Sequence, residues 1–168
     1  MEAVPSRRLT THARRFSHSR NVRLVVALIL LIDRLTKQAI QSQCAPAQSL
    51  PLIPHVLHLT YVQNTGAAFG LFRGHTEWFI VFSVAVAAWI IRELRQGPAQ
   101  NWRTACALAL ILGGAMGNLI DRLRYGYVVD FIDVRIWPVF NIADSAITVG
   151  VTWLLIHALF GKPEHRVS

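Results

Sequence analysis

The sequence predicts an all-α membrane protein: four transmembrane helices with a small β-rich segment between spans one and two. Three observations predict it. First, 53% of the 168 residues are hydrophobic and only 15% are charged, with mean hydropathy +0.38. A soluble domain carries about 25% charged residues, so the deficit implies surface that faces lipid. Second, four apolar segments stand apart along the chain, and the length fits four spans of about 20 residues with modest loops. Third, basic residues collect at alternate connections. Arg7, Arg8, Arg14, Arg15, Arg20 and Arg23 precede or open the first segment. Arg92, Arg95 and Arg103 lie between the second and third, and Lys162 and Arg166 follow the fourth. With four spans these regions share one side, which the positive-inside rule makes the cytoplasm. Both termini are then cytoplasmic, and segments 41–76 and 121–137 face outward.

The same distribution answers the net charge of +8. A basic chain suggests nucleic-acid binding when its charge covers a polar face. Here the charge flanks apolar runs, which reads as membrane orientation and attraction to anionic lipid. No nucleic acid is expected as a partner. Cys44 sits in a polar segment and Cys106 in an apolar one, so a disulfide framework is not expected.

Taken in order, residues 1–20 are polar and basic and are expected to form a disordered cytoplasmic tail. A basic stretch followed by an apolar one resembles a signal peptide. No small-residue cleavage site follows Leu24–Ile32, however, so the segment is read as a retained span over about 22–41. That apolar run is too short to cross about 30 Å at 1.5 Å per residue, so the helix must continue through Asp33, Arg34 and Lys37. Asp33 and Lys37, four apart, share a helix face and can pair. Segment 42–76 holds Pro46, Pro51 and Pro54, then "HVLHLTYVQNTGAAFG", whose β-branched and aromatic residues predict short strands. Gly66 permits a turn or a close backbone approach. Span two, 77–94, has aromatics near both ends, as at a membrane interface. Span three covers about 102–121. Span four covers 138–160, with Pro138 at its start, where a missing N–H is harmless. Residues 162–168 form the second cytoplasmic tail.

An ionisable side chain in a membrane span costs about 2.5–3.5 kcal/mol on insertion scales, which makes it a functional candidate. Asp33, Lys37, Asp121, Arg122, Asp130 and Asp144 all fall at or near the outer ends of spans one, three and four. Two carboxylates held close in a low-dielectric site cannot both ionise easily, so a pair such as Asp130 and Asp144 shares a proton near neutrality. Such a dyad can activate water with its ionised member and polarise a carbonyl with its protonated one. The alternative is that each acid merely pairs with Arg122, Arg124 or Arg135. Asn118 and Arg122 are four apart on one helix face, with Asp121 at its border, and Asn141 precedes Asp144 by three. These can orient carboxylates or hold a substrate backbone, or simply bond between helices, worth about 0.6 kcal/mol on average in membranes. Asp33 and Lys37 are read as a structural ion pair. "GGAMG" (113–117) allows close helix contact. His55 and His58 lack further ligands nearby, so no metal is expected. Ser145 could form a nucleophile with Lys37, but Lys37 already has Asp33 within reach.

Five blocks in order, "DRLTK" (33–37), "NTGAAF" (64–69), "GGAMGNLIDR" (113–122), "VVDFID" (128–133) and "FNIADS" (140–145), resemble the lipoprotein signal peptidases. These signal peptidase II enzymes are aspartyl peptidases of the bacterial inner membrane. The resemblance spans about two-thirds of the chain. It implies cleavage of prolipoproteins on the N-terminal side of a diacylglyceryl cysteine. It places the catalytic aspartates at Asp130 and Asp144, and supporting polar positions at Asp33, Lys37, Asn64, Gly66, Asn118, Arg122 and Asn141. It further implies a periplasmic cradle from the outer β segment, no metal or other cofactor, and inhibition by the cyclic peptide globomycin. Expected partners are prolipoproteins and membrane lipids, with the enzyme acting as a monomer. Two other classes compete. A small transporter or proton relay could use the same acids, but its carboxylates belong at mid-membrane, usually with an inverted repeat. A nonenzymatic scaffold would need no convergence of two acids. Presenilin-like proteases share only paired aspartates, since "GYVVD" lacks their GxGD motif.

Overall fold

The computed structural model describes residues 7–66, 75–96 and 102–160. Residues 1–6 of the basic tail, Ala67–Phe69 of the second block and the 162–168 tail lie outside the described residues. The element order is α1 (Arg7–Gln43), β1 (Ser49–Ile53), β2 (Leu57–Asn64), α2 (Thr76–Gln96), α3 (Trp102–Tyr125), β3 (Val128–Asp133) and α4 (Ile142–Phe160). The chain is thus mostly helical with a small antiparallel sheet of order β1-β2-β3.

Three boundaries differ from the sequence reading. Helix α1 begins at Arg7 rather than near 22, so its backbone is helical through most of the stretch expected to be disordered. Neither Pro nor Gly interrupts Arg7–Gln43, and Pro46 lies just past its end, where it disfavours helix for its predecessor. Strand β3 adds a third strand from the second outer segment, so the sheet is not confined to the connection between the first two helices. Helix α4 starts at Ile142, which leaves Pro138 in the preceding connection. There Phe140 pairs with Ile132 instead of joining a helix.

Helix α3 is the centre of the bundle and packs against α1, α2 and α4. Its first half is apolar. Leu108, Ile111 and Leu112 form a buried cluster with Ile90 of α2, flanked by Val26 of α1 and Leu154 of α4. The small residues of "GGAMG" set how close the neighbours come. A Cβ on Gly114 would collide with the carbonyl oxygen of Ala143 in α4, and one on Gly117 would stand 2.8 Å from Oδ2 of Asp33 in α1. The expected close contact is therefore present on both sides of α3. Helices α3 and α4 are each long and apolar enough to cross a membrane.

At its C-terminal end α3 stops at Gly126, whose φ of +77° is a left-handed cap and whose N–H donates to the Arg122 carbonyl at 3.0 Å. Strand β3 follows at once and pairs with β2, Val62 opposite Asp130 and Asn64 opposite Val128. One face of this sheet closes over the end of α1, with Ile40, Cys44, Tyr61, Val129 and Phe131 in a second buried cluster. Strand alternation then turns Asp130 to the other side from Val129 and Phe131. The chain returns through residues 134–141 to start α4 beside β3.

Candidate active site

Asp130 lies on β3, and Asp144 lies in the first turn of α4. Asn141 joins them. It is the N-cap of α4: its side-chain Oδ1 accepts the Asp144 N–H at 2.9 Å, and Asp144 Oδ2 accepts the Asn141 N–H at 3.2 Å. This is a reciprocal capping box with Asp at the position usually held by Glu. The same Asn141 directs Nδ2 to Asp130 Oδ1 at 2.7 Å. One residue therefore holds both carboxylates, and it does so because a helix start and a strand meet at that point.

Each remaining carboxylate oxygen has its own amide donor. Asn64 Nδ2 donates to Asp130 Oδ2 at 2.9 Å, and Asn64 Oδ1 accepts the Gly66 N–H at 3.0 Å. Asn118 Nδ2 donates to Asp144 Oδ1 at 2.7 Å. Asn118 Oδ1 accepts from Lys37 Nζ at 3.0 Å and from Asn141 Nδ2 at 3.1 Å. The two acceptor contacts on Asn118 Oδ1 fix which end of that amide faces the acid.

Beneath the two acids lies a charged layer. Lys37 is fully buried, and its ammonium meets three acceptors: Asp33 Oδ2 at 2.8 Å, Asp121 Oδ2 at 2.9 Å and Asn118 Oδ1. The pairing of Asp33 with Lys37 expected from their spacing is present. Asp33 Oδ1 also accepts the Ala143 N–H at 3.0 Å, another of the amides left free at the start of α4. Asp121 reaches further than its spacing suggested: Oδ1 pairs with Arg34 at 3.1 Å, and Oδ2 also accepts the Val129 N–H at 3.3 Å.

Arg122 is placed over the Phe79 ring, 4.8 Å from its centroid, and donates to the Gly66 carbonyl at 3.3 Å. Its Nε is buried with no hydrogen-bond partner among the described residues. Arg124 stacks on Tyr125, and Arg135 pairs with Asp133 at 2.9 Å. Among the described residues no salt bridge joins Asp130 or Asp144 to these arginines, so the reading in which each acid merely neutralises a base is not met. Ser145 Oγ donates to the Asn141 carbonyl at 2.9 Å, a local helix bond. With all three Lys37 protons engaged, the Ser–Lys reading has no geometric basis.

Asp130 is 2% exposed. Burial, and then the charge of Asp144, push its carboxyl up to about 7, against the amide donors Asn64 and Asn141. Near neutral pH the pair holds a proton that an isolated carboxyl would have lost. Asp133, at the end of the same strand, is held below the ordinary range: burial opposes this, but the Arg135 N–H, Thr60 and the Arg135 guanidinium outweigh it.

The sequence reading missed two features. Within the outward segment 121–137 it predicts no strand, and "VVDFID", buried on both faces except for a half-buried Ile132, carries no simple alternation that marks one. It also passed over Arg34, three residues before Lys37. That spacing puts two cations on one helix face and calls for acids opposite.

A family model described as "Signal peptidase (SPase) II" matches residues 25–160. Proteins named lipoprotein signal peptidase are similar along most of their length. The one from Moorella thermoacetica is 53% identical over 84% of this chain and 94% of its own. One from Desulfitobacterium hafniense is 47% identical over 85% and 95%. A solved structure described as "Bacterial membrane enzyme structure by the in meso method at 2.3 A resolution" superposes with TM-score 0.80 and 34% identity, covering 88% of this chain and 94% of that one. A second, at 1.9 A, gives TM-score 0.77 at the same identity, over 84% and 94%. With the family model covering most of its length and named relatives up to 53% identical, the chain belongs to the signal peptidase II family.

Proposed function

We propose that this chain is an aspartyl endopeptidase of the bacterial inner membrane. It removes the signal peptide from prolipoproteins by cutting before the diacylglyceryl cysteine, with Asp130 and Asp144 as catalytic residues. The observation that carries this is the double engagement of Asn141, which ties two carboxylates from separate elements into one group with no metal ligand set or nucleophile required.

The reaction follows from the protonation of the pair. The dyad shares one proton; in the proposed cycle Asp130 carries it and Asp144 is ionised. Asp144 takes a proton from a water molecule as the water oxygen bonds to the scissile carbonyl carbon. Asp130 gives its proton to the carbonyl oxygen. The resulting diol collapses: one hydroxyl proton returns to Asp130, and the proton held by Asp144 passes to the departing nitrogen as the C–N bond breaks. The products are a new carboxyl on the signal peptide and a free amine on the lipidated cysteine, with one proton again on the dyad. Asn64, Asn118 and Asn141 hold the acids. Gly66 and Arg122 border the place where a peptide backbone would lie. Asp33, Lys37 and Asp121 are structural.

Four membrane spans are part of this reading. Besides α3 and α4, helix α1 exposes Leu24, Leu28, Leu31 and Leu35, and α2 exposes Trp78, Val81, Phe82 and Trp89. These large apolar side chains belong in lipid. The acids lie near the C-terminal end of α3 and the N-terminal end of α4, next to the sheet; in this reading that end is the periplasmic one, and both termini are cytoplasmic, as the distribution of basic residues supports. A substrate anchored by its lipid can then enter sideways from the outer leaflet. The enzyme works as a monomer without cofactor and is sensitive to globomycin. Purified enzyme in detergent is expected to cut a diacylglyceryl prolipoprotein before its cysteine and to leave the unmodified precursor intact. Equal cleavage of both, or of neither, contradicts the assignment.

A further inference from the structure

Arg34 is absent from the supporting positions that the family resemblance implies, yet it grips the site from below. Its Nη1 lies 3.1 Å from Asp121 Oδ1, its Nη2 donates to the Tyr125 hydroxyl at 2.8 Å, and its guanidinium lies over the Tyr125 ring. Asp121 in turn accepts the Val129 N–H. The Val129 carbonyl accepts from Asn141 Nδ2 at 3.3 Å. The peptide units around Val129, the residue before Asp130, are therefore gripped on both sides, once through Asp121 and once through Asn141.

The charges around the two acids come from every element that meets there. Helix α1 supplies Asp33, Arg34 and Lys37. Helix α3 supplies Asp121 and Arg122. Strand β3 supplies Asp130, and α4 supplies Asp144. Asp133 is matched by Arg135 on its own turn. Glu77 of α2 is exposed and faces His75, and His58 of β2 bonds Ser49 on the exposed sheet. The inner group thus holds four acids and three bases, and it is neutral when the dyad carries a single proton. Remove Arg34, and neutrality requires a second proton.

We propose that Arg34 is a positioning residue for the proposed reaction, acting through Asp121 to hold the strand that bears Asp130 and to set the charge balance at which the dyad keeps one proton. This rests on the dyad reading of Asp130 and Asp144. Arg34 is 23% exposed while Asp121 is 1% exposed, so solvent screens the arginine only in part and its charge is felt within the site.

The test is the pH dependence of kcat/KM for diacylglyceryl prolipoprotein cleavage. Arg34→Gln is expected to move both limbs of the profile upward by about half a pH unit or more. Asp121→Asn is expected to move them downward, and the double variant to bring them back toward the wild-type positions. Arg34→Lys, which keeps the charge, is expected to keep the limbs in place even if the rate falls. Limbs that stay put in Arg34→Gln while the rate drops evenly at all pH values would mean a packing role only and overturn the proposal. If Arg34→Gln does not fold, Asp121→Asn decides: limbs that stay or rise are equally contradictory. Activity retained in Asp130→Asn would sink the function reading itself, whereas unmoved limbs alongside an inactive Asp130→Asn would sink only the role of Arg34.

Discussion

The two halves of α3 are built on different principles. In the first half Ala105, Ala107, Leu108, Ala109, Ile111 and Leu112 are buried among apolar neighbours. In the second half the buried residues include Asn118 and Asp121, each with named polar partners. Apolar packing is non-directional and depends on volume, so it degrades by increments. A buried polar network has a dedicated acceptor for each donor, and removing one member strands the rest. The same helix therefore tolerates change at one end and resists it at the other. The resistant end is the one that holds the acids.

Among the supporting residues the largest effect is expected where the network converges. Asn141→Ala removes the helix cap and the donor to Asp130 and is expected to cut kcat by about a hundredfold or more. A mutant within a few fold of wild type in the cleavage assay would show that the acids find each other without it. In the apolar half, Leu108→Ala is expected to cost about 2 kcal/mol or more of stability, read as a lower unfolding temperature in detergent, with kcat nearly kept. Comparable loss of kcat there would erase the distinction between the halves.

The third expectation concerns pH. Asp130 binds its proton more tightly folded, at about 7, than unfolded, at the ordinary 3.8. Between these values the native state holds more protons than the unfolded state, so stability falls as pH rises through that window. Asp130→Asn is expected to flatten that slope in detergent unfolding measured from pH 4 to 8. A slope unchanged by the substitution would remove the raised carboxyl from the account. The smallest effect is expected at Ser145→Ala, which loses one local helix bond and should keep activity within about twofold. Loss of cleavage there would revive a serine mechanism.

Much of the site was legible because its signals were local. Asp33 and Lys37 declared their pairing by a one-turn spacing, and an acid such as Asp144 beside an apolar run stands out on cost alone. What stayed hidden depended on tertiary contact. The six residues of β3 make a strand only because β2 lies alongside, and 128–133 taken alone is too short to reveal it. Pro138 is a favourable helix start by local rules. The start moves to Ile142 because Asn141 can cap there only when Asp130 and Asn118 hold its amide. Arg34 showed only a helix face shared with Lys37, and which acid it serves became visible only with Asp121 opposite it. Helix α1 ran past its expected start because hydropathy marks where lipid begins and says little about where helix does.

The joint action of the two carboxyls is tested most directly by assaying purified Asp130→Asn and Asp144→Asn, each confirmed as folded, on diacylglyceryl prolipoprotein under conditions where the wild type turns over fully. Both are expected to fall to background, since neither Asn can pass a proton to or from water. Substantial cleavage by either folded variant would contradict the paired-acid mechanism.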